Sequence, residues 1–207
     1  MKSKFQIVFV MFVANIAFVS AQEYTYDVKV FGKKIGSVIA YRTQEGTKTI
    51  YKTTSLSTVN FFGKKEITTL METVYQDDVL QSSFYEVKKN SKIKEKAVLE
   101  YVDDQYFITT NGKETNYDKP ISMSTIMLTY HKPQNNQNIF EEVGGFYKKM
   151  VKINENEFEL VSPKSRHRDT YIYSEDGILE KCIVRKTLFN FEMILSSDSK
   201  KKEISKL

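Results

Sequence analysis

From Glu23 onward the chain alternates apolar and polar residues with a period of two: Tyr24, Tyr26, Val28 and Val30 are separated by Thr25, Asp27 and Lys29. That period predicts a strand with one face in a core. The same alternation predicts strands over 35–43, 47–59, 67–75, 79–88, 94–102, 106–110 and 113–117, then over 139–143, 146–153, 157–161, 169–173, 178–187 and 188–195. Turn residues punctuate them at Phe31-Gly32-Lys33-Lys34, Glu45-Gly46, Gln76-Asp77-Asp78, Lys89-Asn90-Ser91, Asp103-Asp104 and Asp176-Gly177. Asn111-Gly112 is the strongest hairpin mark, because a type I′ turn needs positive φ at both central residues. Gly144-Gly145 falls within an extended pattern and predicts a bulge or sharp bend of the kind that lets a sheet curl.

One stretch breaks the pattern, Asp118 to Pro133. Asp118 suits an N-cap, Pro120 the first helical turn, and Pro133 a stop. Met123, Ile126, Met127 and Tyr130 share one side of a helical projection, and Ile121 and Leu128 point the opposite way. An element apolar on two sides belongs inside a protein. About ten or more antiparallel strands cannot stay flat and open. The fold class predicted is therefore mainly β: a curved antiparallel sheet, a half-open barrel, wrapped around one short α-helix over about 119–131.

Residues 1–21 read as a secretory signal peptide. Lys2 and Lys4 precede an apolar run from Phe5 to Val19, and Val19-Ser20-Ala21 places small residues at a cleavage point before Gln22. A single β-rich domain over 22–195 is expected, followed by a polar, frayed, lysine-rich tail over 196–207, and no membrane span is expected in the mature chain. That places the protein in a periplasm or outside the cell. Without Lys2 and Lys4, 29 basic residues face 26 acidic ones, a formal charge of only +3. The lysines fall mostly at turns, which argues against a nucleic acid partner.

The residues Tyr26-Asp27-Val28, Gly32-Lys33-Lys34-Ile35-Gly36, Ser124-Thr125 to Tyr130 with Pro133, Glu142-Val143-Gly144-Gly145 and Tyr171-Ile172-Tyr173 to Gly177 resemble an exported Bacteroidetes family of unknown function. The resemblance covers nearly all of the mature chain. It implies a curved sheet around a helix, similar to the incomplete barrels of bacterial lipoprotein carriers. It transfers no functional residues.

Candidate chemistry is sparse. The chain has two histidines, His131 and His167, and one cysteine, Cys182. No H-x-x-x-H or C-x-x-C spacing occurs, so no metal or cofactor is implied. His131, at the end of the expected helix, suits a cap or surface role. His167 stands in Arg166-His167-Arg168-Asp169, where it could pair with Asp169 or the arginines could bind an anion. Turn chemistry explains Asp77-Asp78 and Asp103-Asp104 better than a glycosidase dyad does. The leading expectation is a non-enzymatic binding protein holding an apolar or lipid-like molecule between helix and sheet, lined by Met123, Ile126, Met127 and Tyr130, with Phe61 and Phe62 at a loop. The alternatives are an interaction protein of the cell envelope working through a sheet edge or Phe61-Phe62, and a hydrolase using His167 or Cys182.

Overall fold

The computed structural model describes residues 19–60, 63–165, 167–185 and 190–199. Among these, fourteen strands follow in chain order: β1 Val19–Val30, β2 Lys33–Glu45, β3 Lys48–Val59, β4 Lys65–Gln76, β5 Val79–Lys89, β6 Lys92–Val102, β7 Gln105–Thr110, β8 Lys113–Tyr117, β9 Asn138–Glu141, β10 Phe146–Lys152, β11 Glu157–Val161, β12 Arg168–Tyr173, β13 Leu179–Arg185 and β14 Asn190–Leu195. They form one antiparallel sheet in the order β8-β7-β6-β5-β4-β3-β2-β1-β14-β13-β12-β11-β10-β9. The first and last strands meet in its middle, where Tyr26 faces Leu195 and Val28 faces Met193.

Turn chemistry sets the register of the meander. Phe31-Gly32, Asp77-Asp78, Asn90-Ser91, Asp103-Asp104 and Asn111-Gly112 all carry positive φ at both residues. Two-residue loops of that hand match the twist of the strands they join. The aspartate pairs therefore serve turns. Gly144-Gly145 is not the expected bulge; it completes the turn from β9 to β10, where the Gly145 N–H donates to the Glu141 carbonyl at 2.9 Å. The irregularities lie at Val28/Lys29, Val74/Tyr75, Val87/Lys88 and Ile172/Tyr173. Such interruptions bend strands and sharpen their twist.

The edges β8 and β9 share no ladder. Side chains close the gap: the Tyr117 ring lies 6.2 Å from Phe140 and 5.7 Å from Tyr147, and the Thr110 hydroxyl donates to the Val143 carbonyl at 2.8 Å. The sheet is thus barrel-like without being closed.

Inside the curl lie two apolar clusters, one centred on Tyr24, Tyr26, Leu160 and Tyr173, the other on Tyr51, Tyr75, Leu99 and Tyr106. The segment 118–133 fills the space between them, as its two apolar sides predicted, but it is not an α-helix over 119–131. It stays extended to Ser124 and then makes a five-residue 3-10 helix, Thr125–Thr129. Its backbone is satisfied from outside. The Leu80 N–H donates to the Ile121 carbonyl at 2.9 Å and the Phe140 N–H to the Met123 carbonyl at 3.0 Å. Tyrosine hydroxyls add further bonds: Tyr106 accepts from the Ile121 N–H and donates to the Leu80 carbonyl, both at 3.0 Å; Tyr173 donates to the Leu128 carbonyl at 2.9 Å; and Tyr75 donates to the Ser124 side chain, Oγ, at 2.7 Å. Irregular backbone in a core needs such partners, and tyrosine carries a polar tip on a ring that packs like an apolar side chain. That division of labour accounts for much of the use of 13 Tyr and no Trp.

At the ends of the chain, β1 begins upstream of the expected cleavage point, with Ser20 and Ala21 paired to Gln44 and Thr43; residues 1–18 lie outside the described residues. The polar tail does not fray at Ser196. Ser196 N–H donates to the Thr25 carbonyl at 2.9 Å, and buried Ser199 accepts from the Thr25 N–H at 2.7 Å. Among the described residues no helix is long and apolar enough to cross a membrane.

Candidate functional site

Strand register decides which polar residues face the inside. On β2, Ala40 lies across from Tyr24 on β1, and two residues on, Arg42 lies between Gln22 and Tyr51. Ala40 and Tyr51 are core residues, so Arg42 shares their concave face. Its guanidinium donates to Gln44 Oε1 at 2.6 Å and to Gln22 Oε1 at 3.3 Å, and it stands 5.9 Å from the Tyr51 ring. Among the described residues no carboxylate comes within ion-pair distance of it, and its Nε is buried without a hydrogen bond.

The central segment leaves the barrel beside this arginine. The Tyr130 ring lies 5.5 Å from Tyr24 and 5.6 Å from Tyr51, and its hydroxyl is likewise buried without a hydrogen bond. The Tyr51 hydroxyl and His131 Nε2 share a bond of 2.9 Å. Burial pushes the Tyr130 phenol well above the usual range, with the Arg42 charge working against it. Burial also raises the Tyr51 phenol, again opposed by Arg42. His131 moves the other way: burial and then the Arg42 charge lower it, with Asp78 opposing. His131 was expected to cap a helix as a surface cation; it is instead a half-buried, neutral partner of a phenol. The cluster offers a cation, phenol hydroxyls and an imidazole, which bind by donating hydrogen bonds.

A second polar cluster lies at the far end of the strands, where Arg185, next to core-facing Val184, stands on the outer face with Thr170 and Glu159. Arg42 faces the start of β1 through Gln22, while Arg185 faces Asn190 near Glu192, the partner of Lys29 at the end of β1. Here a cleft of about 240 Å³ is lined by residues that include Glu141, Lys148, Ser162, His167, Asp169 and Arg185. Its charges are answered. Lys148 pairs with Glu141 at 2.8 Å, the Arg185 guanidinium donates to Thr170 Oγ1 at 2.8 Å, and Asp169 Oδ1 accepts from the Arg185 N–H at 3.0 Å. The fold thus brings His167 and Asp169 to one cleft with a serine, yet no hydrogen bond joins the imidazole to Asp169, and a base without its orienting contact is not a catalytic set.

The residues expected to line a site divide. Met123 and Ile126 are packed into opposite core clusters, while Met127 and Tyr130 are half-buried and touch both. Phe61 and Phe62 lie outside the described residues. Cys182 is buried beside Tyr171, and burial pushes its thiol up to about 12, the reverse of what a nucleophile needs. Arg42 and Tyr51 were not singled out by sequence. Glu142 appeared there only within Glu142-Val143-Gly144-Gly145; it is fully buried and accepts from the Thr125 hydroxyl at 2.5 Å and the Thr125 and Ile126 N–H groups at 3.2 and 3.3 Å. Among the described residues no group of three or more His, Cys, Asp or Glu side chains is placed to hold a metal ion.

A sequence model of DUF6134, a domain of unknown function, matches residues 26–196. The chain belongs to the DUF6134 family. No curated protein matches it. Among solved structures it is similar to a β-barrel-like protein of the domain of unknown function DUF1849 from Brucella abortus, with a TM-score of 0.54 at 9% identity over 87% of this chain and 97% of that one. A DUF1089 family protein from Pseudomonas aeruginosa aligns with a TM-score of 0.36 at 9% identity over 78% of this chain and 88% of that one. The first likeness shows a fold that this DUF6134 member shares: a barrel-like sheet.

Proposed function

We propose that the protein is a non-enzymatic binding protein, working in the periplasm or outside the cell, that holds an apolar or lipid-like molecule between its central segment and its curved sheet. The observation that carries this reading is the position of Met127 and Tyr130. Among the described residues of the expected lining, they alone are half-buried and belong to both apolar clusters, beside Tyr24 and Tyr51. Met123 and Ile126 support the segment from behind. A flexible thioether next to three phenol rings adapts to apolar ligands of varied shape.

Native mass spectrometry of the full chain after gentle purification tests the reading. A co-purifying mass that organic extraction removes, and that Met127→Ala weakens, is the expected result. A clean apo mass, together with no uptake of a fluorescent long-chain lipid analogue by the extracted protein, would overturn it.

A further inference from the structure

We infer that the molecule held at this site carries a carboxylate head, and that Arg42 with the Tyr130 hydroxyl receives it. The inference rests on the binding reading above and names the chemistry of the ligand. Every other arginine whose guanidinium contacts are described, Arg168 and Arg185, stands within ion-pair distance of Glu159. Arg42 instead shares the core-facing side of β2, is half-buried, and meets two neutral amides and the Tyr51 phenol but no carboxylate among the described residues. Burying a guanidinium without a counter-charge is unfavourable unless an anion completes it. The Gln22 contact is the longer of the two at 3.3 Å and lies at the solvent side, so an incoming oxygen can replace it at little cost.

The open donors set the size of the head. Two buried groups lack a hydrogen bond here, Arg42 Nε and the Tyr130 hydroxyl, and both flank the Tyr51 ring. One positive charge and two open donors match a carboxylate, which has one charge and two oxygens. A phosphate dianion fits less well. Asp78 lies near enough to act on Tyr51 and His131, and Glu23 acts on Tyr130, so a second negative charge would be opposed. An apolar tail would then run towards Met127, giving an amphipathic acid as the ligand class.

Calorimetric titration of the lipid-extracted full chain with hexadecanoate, hexadecanol and hexadecyl phosphate, each below its aggregation threshold, tests this. The expected result is hexadecanoate binding about tenfold or more tightly than the alcohol, in keeping with a charge-assisted pair. Arg42→Gln should remove that advantage while leaving the alcohol within about twofold, and Tyr130→Phe should reduce it in part. Circular dichroism shows that each variant is folded. Equal binding of acid and alcohol, or acid binding unchanged in Arg42→Gln, would overturn the carboxylate head and leave the binding reading intact. Tighter binding of the phosphate than of the acid would overturn the choice of head. Binding of none of the three would overturn both readings.

Discussion

Two clusters of charge lie at opposite ends of one sheet, and they are built in opposite ways. At the Lys148 end the cations meet oxygens of the protein: Lys148 has Glu141, and Arg185 has Thr170 and Glu159. At the Arg42 end the cation has glutamine amides and the Tyr51 phenol but no carboxylate among the described residues, and the Tyr130 hydroxyl beside it is buried without a hydrogen bond. Charges answered within the fold contribute to its stability, whereas a buried charge left unanswered costs stability and persists only where something else requires it. The difference distinguishes a structural network from the binding site proposed above.

The largest test of that distinction is Glu142→Ala. Glu142 is the most deeply answered charge in the molecule: fully buried, and the acceptor for three donors at the start of the 3-10 helix. Its removal leaves two N–H groups and a hydroxyl without an acceptor, so stability should fall by about 3 kcal/mol in urea unfolding. A loss under about 1 kcal/mol would mean that the segment is held by packing alone. Lys148→Ala comes next. The pair is 12% and 24% exposed, so partial screening brings the expected loss to about 1–2 kcal/mol. Arg42→Met should break the series in sign, leaving stability unchanged or raising it by about 0.5 kcal/mol, because the variant no longer buries an unpaired cation. A loss from Arg42→Met as large as that from Lys148→Ala would erase the distinction.

The strands were legible because their evidence is local. Period-two alternation and turn residues such as Asn111-Gly112 act within a few positions, and the sheet keeps each of them. The central segment was misread because its evidence is not local. Asp118, Pro120 and Pro133 mark a helix, yet Leu80, Phe140 and Tyr106 occupy backbone groups that an α-helix would have bonded internally. Of the expected lining, Met127 and Tyr130 reach the site, because apolar patterning shows burial without showing which buried residues remain half-open. Arg42 was invisible for a different reason. Tyr41-Arg42-Thr43 reads as a surface triplet, and only the pairing of Arg42 with Gln22 and Tyr51 turns its side chain inward.

The smallest expected effect is electrostatic, and it tests whether Arg42 and His131 share one site. His131 is lowered from the ordinary value of 6.5 by burial and by the Arg42 charge. As pH falls through 6.5 the unfolded chain takes up the proton before the native one does, so the contribution of His131 to stability is full above 6.5 and is lost as pH falls towards its native value. Wild type should therefore lose stability relative to His131→Gln on acidification below 6.5, while the difference between them stays constant above about pH 8. The decisive variant is Arg42→Gln. With the neighbouring cation gone, the proton NMR titration of the His131 ring should shift to higher pH, and the acid-side loss of stability should narrow with it. A His131 titration that does not move in Arg42→Gln would place the guanidinium outside the imidazole's field, and the cluster would then be two separate features rather than one.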